Sequence, residues 1–192
     1  MSNRKITNAS LYFCLLISVA CGTRLYKVAP LPAAAPPEFS SSSANGFSVG
    51  AVVLDSDQSL ERFDANLPLA GVIAVDLRMA NNTAETIRAN AIKFELRDSS
   101  GAKLKRLAPK KALGAVMKFY GDRFYAKSAH RRTLDDYELV ALKTNTPIAP
   151  REERRGIVFF QTQRNTTSVN GLTLSVTGLP APINLQLQTA SD

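Results

Sequence analysis

Short segments that alternate apolar and polar residues dominate the chain from Phe47 onward, and they constrain its fold more than any other feature. The alternation is clear in residues 71–79, 91–98 and 183–188. A period of two places successive side chains on opposite faces of a strand, so each segment predicts a half-buried β-strand. Residues 156–160 (GIVFF) are continuously apolar, which is typical of a strand buried on both faces.

These strand segments indicate the class of the fold. About seven strands, separated by turn signals such as Asn170-Gly171, fit into residues 47–190. Two antiparallel sheets packed face to face would bury one face of every strand. The sequence therefore predicts an all-β domain, an Ig-like antiparallel β-sandwich of about seven strands. The chain has no Trp and only two Cys, which excludes an antibody-type domain and a disulfide scaffold.

One segment departs from the strand pattern. Residues 109–127 begin with Pro109 and place five apolar residues at helical spacing, namely Leu113, Val116, Met117, Tyr120 and Phe124. We predict one helix inserted near 109–127, which caps an end of the sandwich or packs against a sheet edge. Residues 134–142 (LDDYELVAL) fit either a strand or a helical turn followed by a strand.

The first twenty residues have the pattern of a signal peptide. Arg4 and Lys5 precede an apolar run of ten residues, 11–20, which ends in small residues. No apolar run in the chain reaches the ~20 residues of a membrane-spanning helix, which excludes a multi-pass membrane protein. We predict a signal peptide over residues 1–20, with cleavage between Ala20 and Cys21.

The residues around the predicted cleavage site resemble the lipobox of bacterial lipoproteins. Val19 and Ala20 fit that pattern before Cys21, whereas Ser18 stands where the family usually has Leu. The resemblance implies that Cys21 is the lipid attachment site and carries palmitate-type acyl chains. Ser18-Val19-Ala20 also fits the small-x-small site of the ordinary signal peptidase, in which case Cys21 would remain a free thiol.

A segment rich in Pro, Ala and Ser follows Cys21. Residues 21–46 contain four Pro and a run of four Ser, a composition that cannot bury enough apolar surface to order itself. We predict that residues 21–46 are a disordered, lipid-anchored linker. The predicted location is the bacterial cell envelope, and Gly22 in place of Asp favours the outer membrane facing the periplasm. A soluble periplasmic or secreted protein is the alternative.

Three stretches of the folded part resemble Ig-like sandwich domains of unknown function in bacterial lipoproteins. They are residues 75–83 (VDLRMANNT), 92–101 (IKFELRDSSG) and 150–160 (PREERRGIVFF). The resemblance covers most of residues 47–188 and implies a sandwich fold. That family carries no agreed activity, so the resemblance implies no catalytic site.

The residues offer little for catalysis, metal binding or a cofactor. Nucleophile-elbow, zinc-protease and P-loop motifs are missing from the sequence, and the one His, His130, is followed by two Arg. We interpret Asp55 with Asp57 as a turn cap rather than part of a calcium loop. The sequence predicts a protein that is not an enzyme. The less favoured alternative is a wall or sugar-polymer hydrolase that uses Asp135, Asp136 or Glu138.

Basic residues are concentrated in one part of the chain. Residues 97–132 hold eleven Lys and Arg against two Asp, whereas loss of the signal peptide leaves a net charge of +6 for the whole chain. We predict an anion-binding patch that consists of Lys103, Lys105, Arg106, Lys110 and Lys111. The competing interpretation is a solvated face with no partner. Nucleic acid is excluded as a partner because the signal removes the protein from the cytoplasm.

Together these features predict a lipid-anchored envelope protein. The membrane would be reached through Cys21, and the β-sandwich would be a non-catalytic binding or assembly module for envelope proteins. The alternative is a structural lipoprotein whose basic face binds anionic envelope polymers or lipids.

Overall fold

A computed structural model describes residues 24–32, 39–123, 125–166 and 169–189. Eight strands lie within these residues: β1 (Ser40–Ala44), β2 (Phe47–Val53), β3 (Val72–Asn81), β4 (Lys93–Arg97), β5 (Lys103–Leu107), β6 (Glu153–Gln161), β7 (Thr173–Thr177) and β8 (Ile183–Gln186). The same residues form three α-helices, α1 (Ser56–Phe63), α2 (Pro109–Tyr120) and α3 (Lys127–Val140), and a short 3-10 helix at Ala89–Ala91.

The strands form one antiparallel sheet in the order β1-β2-β3-β6-β5-β4-β7-β8. Strand β5 joins its two halves, because Leu104 pairs with β4 whereas residues 105–107 pair with β6. The outer strands β1 and β8 lie against each other. The Val53 amide donates to the Gln188 carbonyl at 3.2 Å. The sheet thus folds over on itself and encloses an apolar interior.

Two apolar cores result from this arrangement. The inner core lies between the two halves of the sheet and includes Phe47, Leu77 and Phe160. The outer core lies between the other face of β3 and β6 and the three helices, and it includes Phe63 and Phe159. Strands β3 and β6 are therefore buried on both faces, which explains the continuous apolar run at residues 156–160.

The structure confirms the all-β class and the antiparallel sheet. The predicted inserted helix is α2, which ends at Tyr120 because Gly121 takes a positive φ of 76° and accepts the left-handed conformation that terminates a helix. Phe124 lies outside the described residues. The expectation of one helix is wrong, since α1 and α3 are also present. Of the two alternatives for residues 134–142, the structure is nearer to the second: α3 runs to Val140, and Ala141 then bridges to Ile157.

The prediction of a linker through residue 46 is wrong for the serine run. Residues Ser40–Ala44 form β1, which pairs with β2 along its whole length. Asn45 and Gly46 connect the two strands with positive φ angles of 49° and 78°. Two successive positive φ values are those of a tight hairpin turn, for which Asn-Gly is the preferred sequence. The turn aligns the serines with β2, and the ladder hydrogen bonds offset the weak strand propensity of Ser.

Residues 24–32, which we call the N-terminal strap, also contradict the linker prediction. The Leu25 amide donates to Thr133 Oγ1 of α3 at 2.9 Å, and the Ala29 amide donates to the Arg62 carbonyl of α1 at 2.7 Å. Tyr26 is buried in the outer core. The strap is ordered because it covers apolar surface that the three helices leave open, a gain that composition alone does not reveal.

The predicted signal peptide, Ala20 and Cys21 lie outside the described residues, so these predictions remain as the sequence makes them. Among the residues that the structure does describe, no helix is both long enough and apolar enough to cross a membrane.

Candidate functional site: a cationic groove

A groove of about 430 Å³ runs between β5, the first turns of α2 and the ends of β3 and β6. We call it the cationic groove. Five basic residues line it: Lys105, Arg106, Lys111, Lys118 and Arg164. The other lining residues are small or neutral, and none of them is Asp or Glu.

The position of the basic residues follows from the order of the elements. Lys105 lies opposite Gln161 in the β5–β6 ladder, and α2 begins two residues after β5 ends. Lys111 and Lys118 are seven residues apart on α2, so they lie on the same face of the helix. Gly114 lies between them, and a Cβ built on it would meet nothing within 4 Å. The missing side chain keeps this stretch of the groove open.

The far wall of the groove is the segment after β6. The Thr162 amide donates to the Gly71 carbonyl, and the Asn165 amide donates to the Leu69 carbonyl, both at 3.0 Å. Gly71 has a positive φ of 81°, and a Cβ there would lie 3.2 Å from the Thr162 carbonyl oxygen. A residue without a side chain at position 71 thus lets the chain approach closely, which places Arg164 at the groove.

The start of α2 adds positive potential to the groove. Ala108, which lines the groove, precedes the first turn and supplies no side-chain cap, and that turn contains no acidic residue. Helix α1 differs, because the Asp55 carboxylate accepts a hydrogen bond from the Gln58 amide at 2.9 Å. An uncapped helix start carries a partial positive charge. The groove therefore combines four cations, Lys105, Lys111, Lys118 and Arg164, with this charge, an arrangement suited to a phosphate or carboxylate group.

Arg106 is held in place at the edge of the groove. Its guanidinium lies over the Phe94 ring, 5.3 Å from the ring centroid, at a distance where a cation is attracted to the ring. Partial burial lowers the pKa of Arg106, but a guanidinium stays charged at physiological pH. The Arg106 side chain thus lies on the inner-core face of β5, opposite to Lys105, and its charge is directed away from the groove.

The structure brings together three of the five residues of the predicted patch: Lys105, Arg106 and Lys111. Lys103 instead forms an ion pair with Glu95 on the β4–β5 hairpin. Lys110 lines a neighbouring depression beside His130. Sequence reasoning missed two groove residues. Lys118 could have been found from its seven-residue spacing to Lys111, whereas Arg164 is brought in only by the fold.

Asp136 and Glu138, two of the three carboxylates of the hydrolase alternative, do not converge. Asp136 forms an ion pair with Arg24 of the strap. Glu138 lines a separate slot beside residues 141–145. A spacing of two residues on a helix turns side chains about 200° apart, so Asp136 and Glu138 point in different directions. This arrangement does not have the facing pair of carboxylates that glycoside hydrolysis uses.

Two further residues singled out in the sequence have structural positions. Asp55 is the N-cap of α1, which confirms its interpretation as a turn cap. His130 lies on α3 rather than in a loop, and its ring stacks on Tyr125 with centroids 5.2 Å apart. Within the described ranges, no cluster of three His, Cys, Asp or Glu residues could hold a metal ion.

Comparison with known proteins leaves the family open. No protein-family model matches the sequence, and no curated protein matches it either. Three solved structures are similar to the chain at a low level. They are the yjhA protein from Bacillus subtilis (9% identity, 77% of this chain and 96% of that chain, TM-score 0.44), a conserved hypothetical protein from Bacillus anthracis (12%, 76% and 91%, 0.37) and the secreted protein MPT63 from Mycobacterium tuberculosis (11%, 83% and 99%, 0.39).

Proposed function

We propose that this chain is a non-catalytic binding module of the bacterial cell envelope, anchored by lipid at Cys21, which binds an anionic group in the cationic groove. The single observation that carries the binding role is the set of four basic side chains, Lys105, Lys111, Lys118 and Arg164, around a concave site whose lining contains no acidic residue. On an ordinary surface, charges of both signs are interspersed.

The shape of the groove favours a specific binding role over a general effect of surface charge. Apart from the basic residues, its walls consist of small or neutral residues, so an oxygen-rich group could approach the lysines at short distance. Lys105, Lys111 and Lys118 are exposed, and each Lys near an anionic surface contributes about 1 kcal/mol to binding. A phosphate-bearing envelope polymer or lipid has the chemistry that this groove would recognise.

We expect that replacing Lys105, Lys111 and Lys118 together by Glu weakens binding of a soluble phosphate polymer about 100-fold or more. Three contributions of about 1 kcal/mol multiply to that factor. The measurement is titration calorimetry of the mature chain carrying Cys21→Ser, with short-chain inorganic polyphosphate as the probe. Binding should also weaken as salt is raised, since the contacts are ionic.

The matched control replaces three lysines outside the groove by Glu: Lys93, Lys103 and Lys143. It changes the net charge by the same amount, so it reports non-specific attraction alone. We expect it to lower affinity less than about tenfold, the effect of roughly 1.4 kcal/mol. Equal losses in the two triple variants would show that polyphosphate responds to net charge rather than to the groove.

Lipid anchoring is tested separately. We expect labelled palmitate to enter the wild-type protein in bacterial cells and to be lost completely in Cys21→Ser, because no other thiol remains after cleavage before Cys21. Membrane fractionation should move the variant from the membrane to the soluble fraction, since stable anchoring needs two acyl chains or more. A processed, soluble and unlabelled wild type would indicate the ordinary signal peptidase, with Cys21 left as a free thiol.

A further inference from the structure

We propose that the exposed side of α3 lies directly on the membrane surface, so that the domain is held against the bilayer rather than at a distance from it. This inference rests on lipid attachment at Cys21, as proposed above. We define the α3 face as Arg24, Ser128, Arg131, Arg132, Asp135 and Leu139. All six residues are exposed, and the expected partner is a bilayer that contains anionic phospholipid.

The strap docks next to α3. Arg24 forms an ion pair with Asp136, and the Leu25 amide donates to Thr133 at 2.9 Å. Tyr26 follows with only 6% of its surface exposed, and its hydroxyl donates to the Asp122 carboxylate. Burial and that carboxylate raise the pKa of Tyr26, so this contact persists at physiological pH. The chain is therefore attached to the helices from Arg24 onward.

The chain between the lipid attachment site and the strap is short. Only Gly22 and Thr23 separate Cys21 from Arg24. A chain spans at most about 3.6 Å per residue, so the Cα atoms of Cys21 and Arg24 lie within about 11 Å of each other. The remaining prolines, Pro36 and Pro37, and the serine run come after the strap in the sequence, and they add no distance between the lipid and the domain.

The α3 face combines charged side chains with an exposed leucine. Helical spacing places Ser128, Arg132, Asp135 and Leu139 within about 40° of one direction, next to the Asp136 that binds Arg24. Leu139 is 74% exposed, the highest value among the large apolar side chains that the structure describes as exposed. Arg131 and Arg132 lie about two turns before Leu139 on α3, whereas Asp135 and Asp136 lie one turn before it, and Asp136 is paired with Arg24. Arginines in the first half of α3 and an exposed leucine near its end suit the boundary between anionic headgroups and acyl chains.

Fluorescence quenching from the bilayer tests this orientation. The acylated protein has no free thiol, so Ser128→Cys on the α3 face and Thr177→Cys on β7 each provide one labelling site. Thr177 is exposed on the half of the sheet that carries no helix. The lipidated protein would be reconstituted in vesicles of phosphatidylethanolamine and phosphatidylglycerol that contain a headgroup nitroxide. We expect quenching of a fluorophore at position 128 to exceed quenching at position 177 at least fivefold.

A spacer variant tests the role of the short connection. Twelve Gly and Ser residues inserted between Gly22 and Thr23 would let the domain move away from the bilayer, and the difference between the two positions should fall at least twofold. Equal quenching at 128 and 177 in the lipidated protein without the spacer would overturn the inference while leaving lipid anchoring intact. An unchanged difference with the spacer would overturn the role of the connection. Absence of palmitate would overturn both this inference and the proposed anchor.

Discussion

Replacing Asp76 by Ala is expected to lower the free energy of unfolding by about 3–5 kcal/mol, the usual effect of removing one partner of a buried ion pair. Asp76 lies on β3 and is fully buried. Its two carboxylate oxygens accept hydrogen bonds from Arg155 Nε and Nη2 of β6, at 2.9 and 2.7 Å. The substitution would remove the Asp76 carboxylate from the Arg155 guanidinium, which is 12% exposed.

The surroundings of Asp76 add to this effect. Arg155 Nη1 also donates to the Pro32 carbonyl of the strap at 2.6 Å. Burial lowers the pKa of the nearby Arg62, whereas the Asp76 carboxylate acts in the opposite direction. Arg62 Nε is buried without a hydrogen-bond partner. Without Asp76, two partly buried arginines would lie close together beneath the strap, and the strap contact would weaken as well.

Urea unfolding followed by circular dichroism measures this change. The matched control is Glu153→Ala, which removes the exposed ion pair with Arg78 on the same two strands and should cost less than about 1 kcal/mol. The double variant Asp76→Ala, Arg155→Met should recover part of the loss, because it also removes the charge that Asp76 balances. If Asp76→Ala cost no more than the Glu153 control, the account of a buried ion pair would be wrong.

Replacing Phe63 by Ala is expected to lower the free energy of unfolding by about 3–5 kcal/mol, as for other buried aromatic residues. Phe63 is fully buried at the end of α1. Its ring lies 5.1 Å from the Tyr137 ring of α3 and 5.7 Å from the Phe159 ring of β6, measured between centroids. It thus joins two helices to the sheet, and its removal would leave a cavity in the outer core.

The same denaturation measurement applies, with Leu60→Ala as the matched control on the same helix. Leu60 is 45% exposed. Its truncation therefore removes little buried apolar surface and should cost less than about 1 kcal/mol. Similar losses in the two variants would mean that the helices contribute to stability through local propensity rather than through packing on β3 and β6.

Several elements were predictable from the sequence because their signal is local. The strands at residues 47–53, 72–81, 93–97 and 153–161 keep a period of two or a continuous apolar run. Those patterns survive folding, because each face of a strand has a constant environment along its length. The class of the fold follows from these segments alone.

Other elements have local signals that compete with neighbouring patterns and therefore did not lead to the correct prediction. Asp55 followed by Gln58 three residues later is a capping box, which marks the start of α1. The buried face of α3 repeats at Ala129, Thr133, Tyr137 and Val140. The prediction divides this stretch at residues 127 and 134, so no predicted segment contains the whole helical repeat. Asn45-Gly46 predicts the β1–β2 hairpin, yet the serine run before it is typical of a linker.

The sequence by itself determined the all-β class, the main strands, the position of α2 and the excess of basic residues around α2. Only the tertiary structure decided that the strap is ordered and that Arg164 lies at the same groove as Lys105 and Lys111. It also decided that Lys103 forms an ion pair outside the groove. The physical reason is the range of the interactions. Alternation and caps act over a few residues, whereas the strap and the groove depend on contacts between segments far apart in the chain, and only packing of the helices on the sheet brings those together.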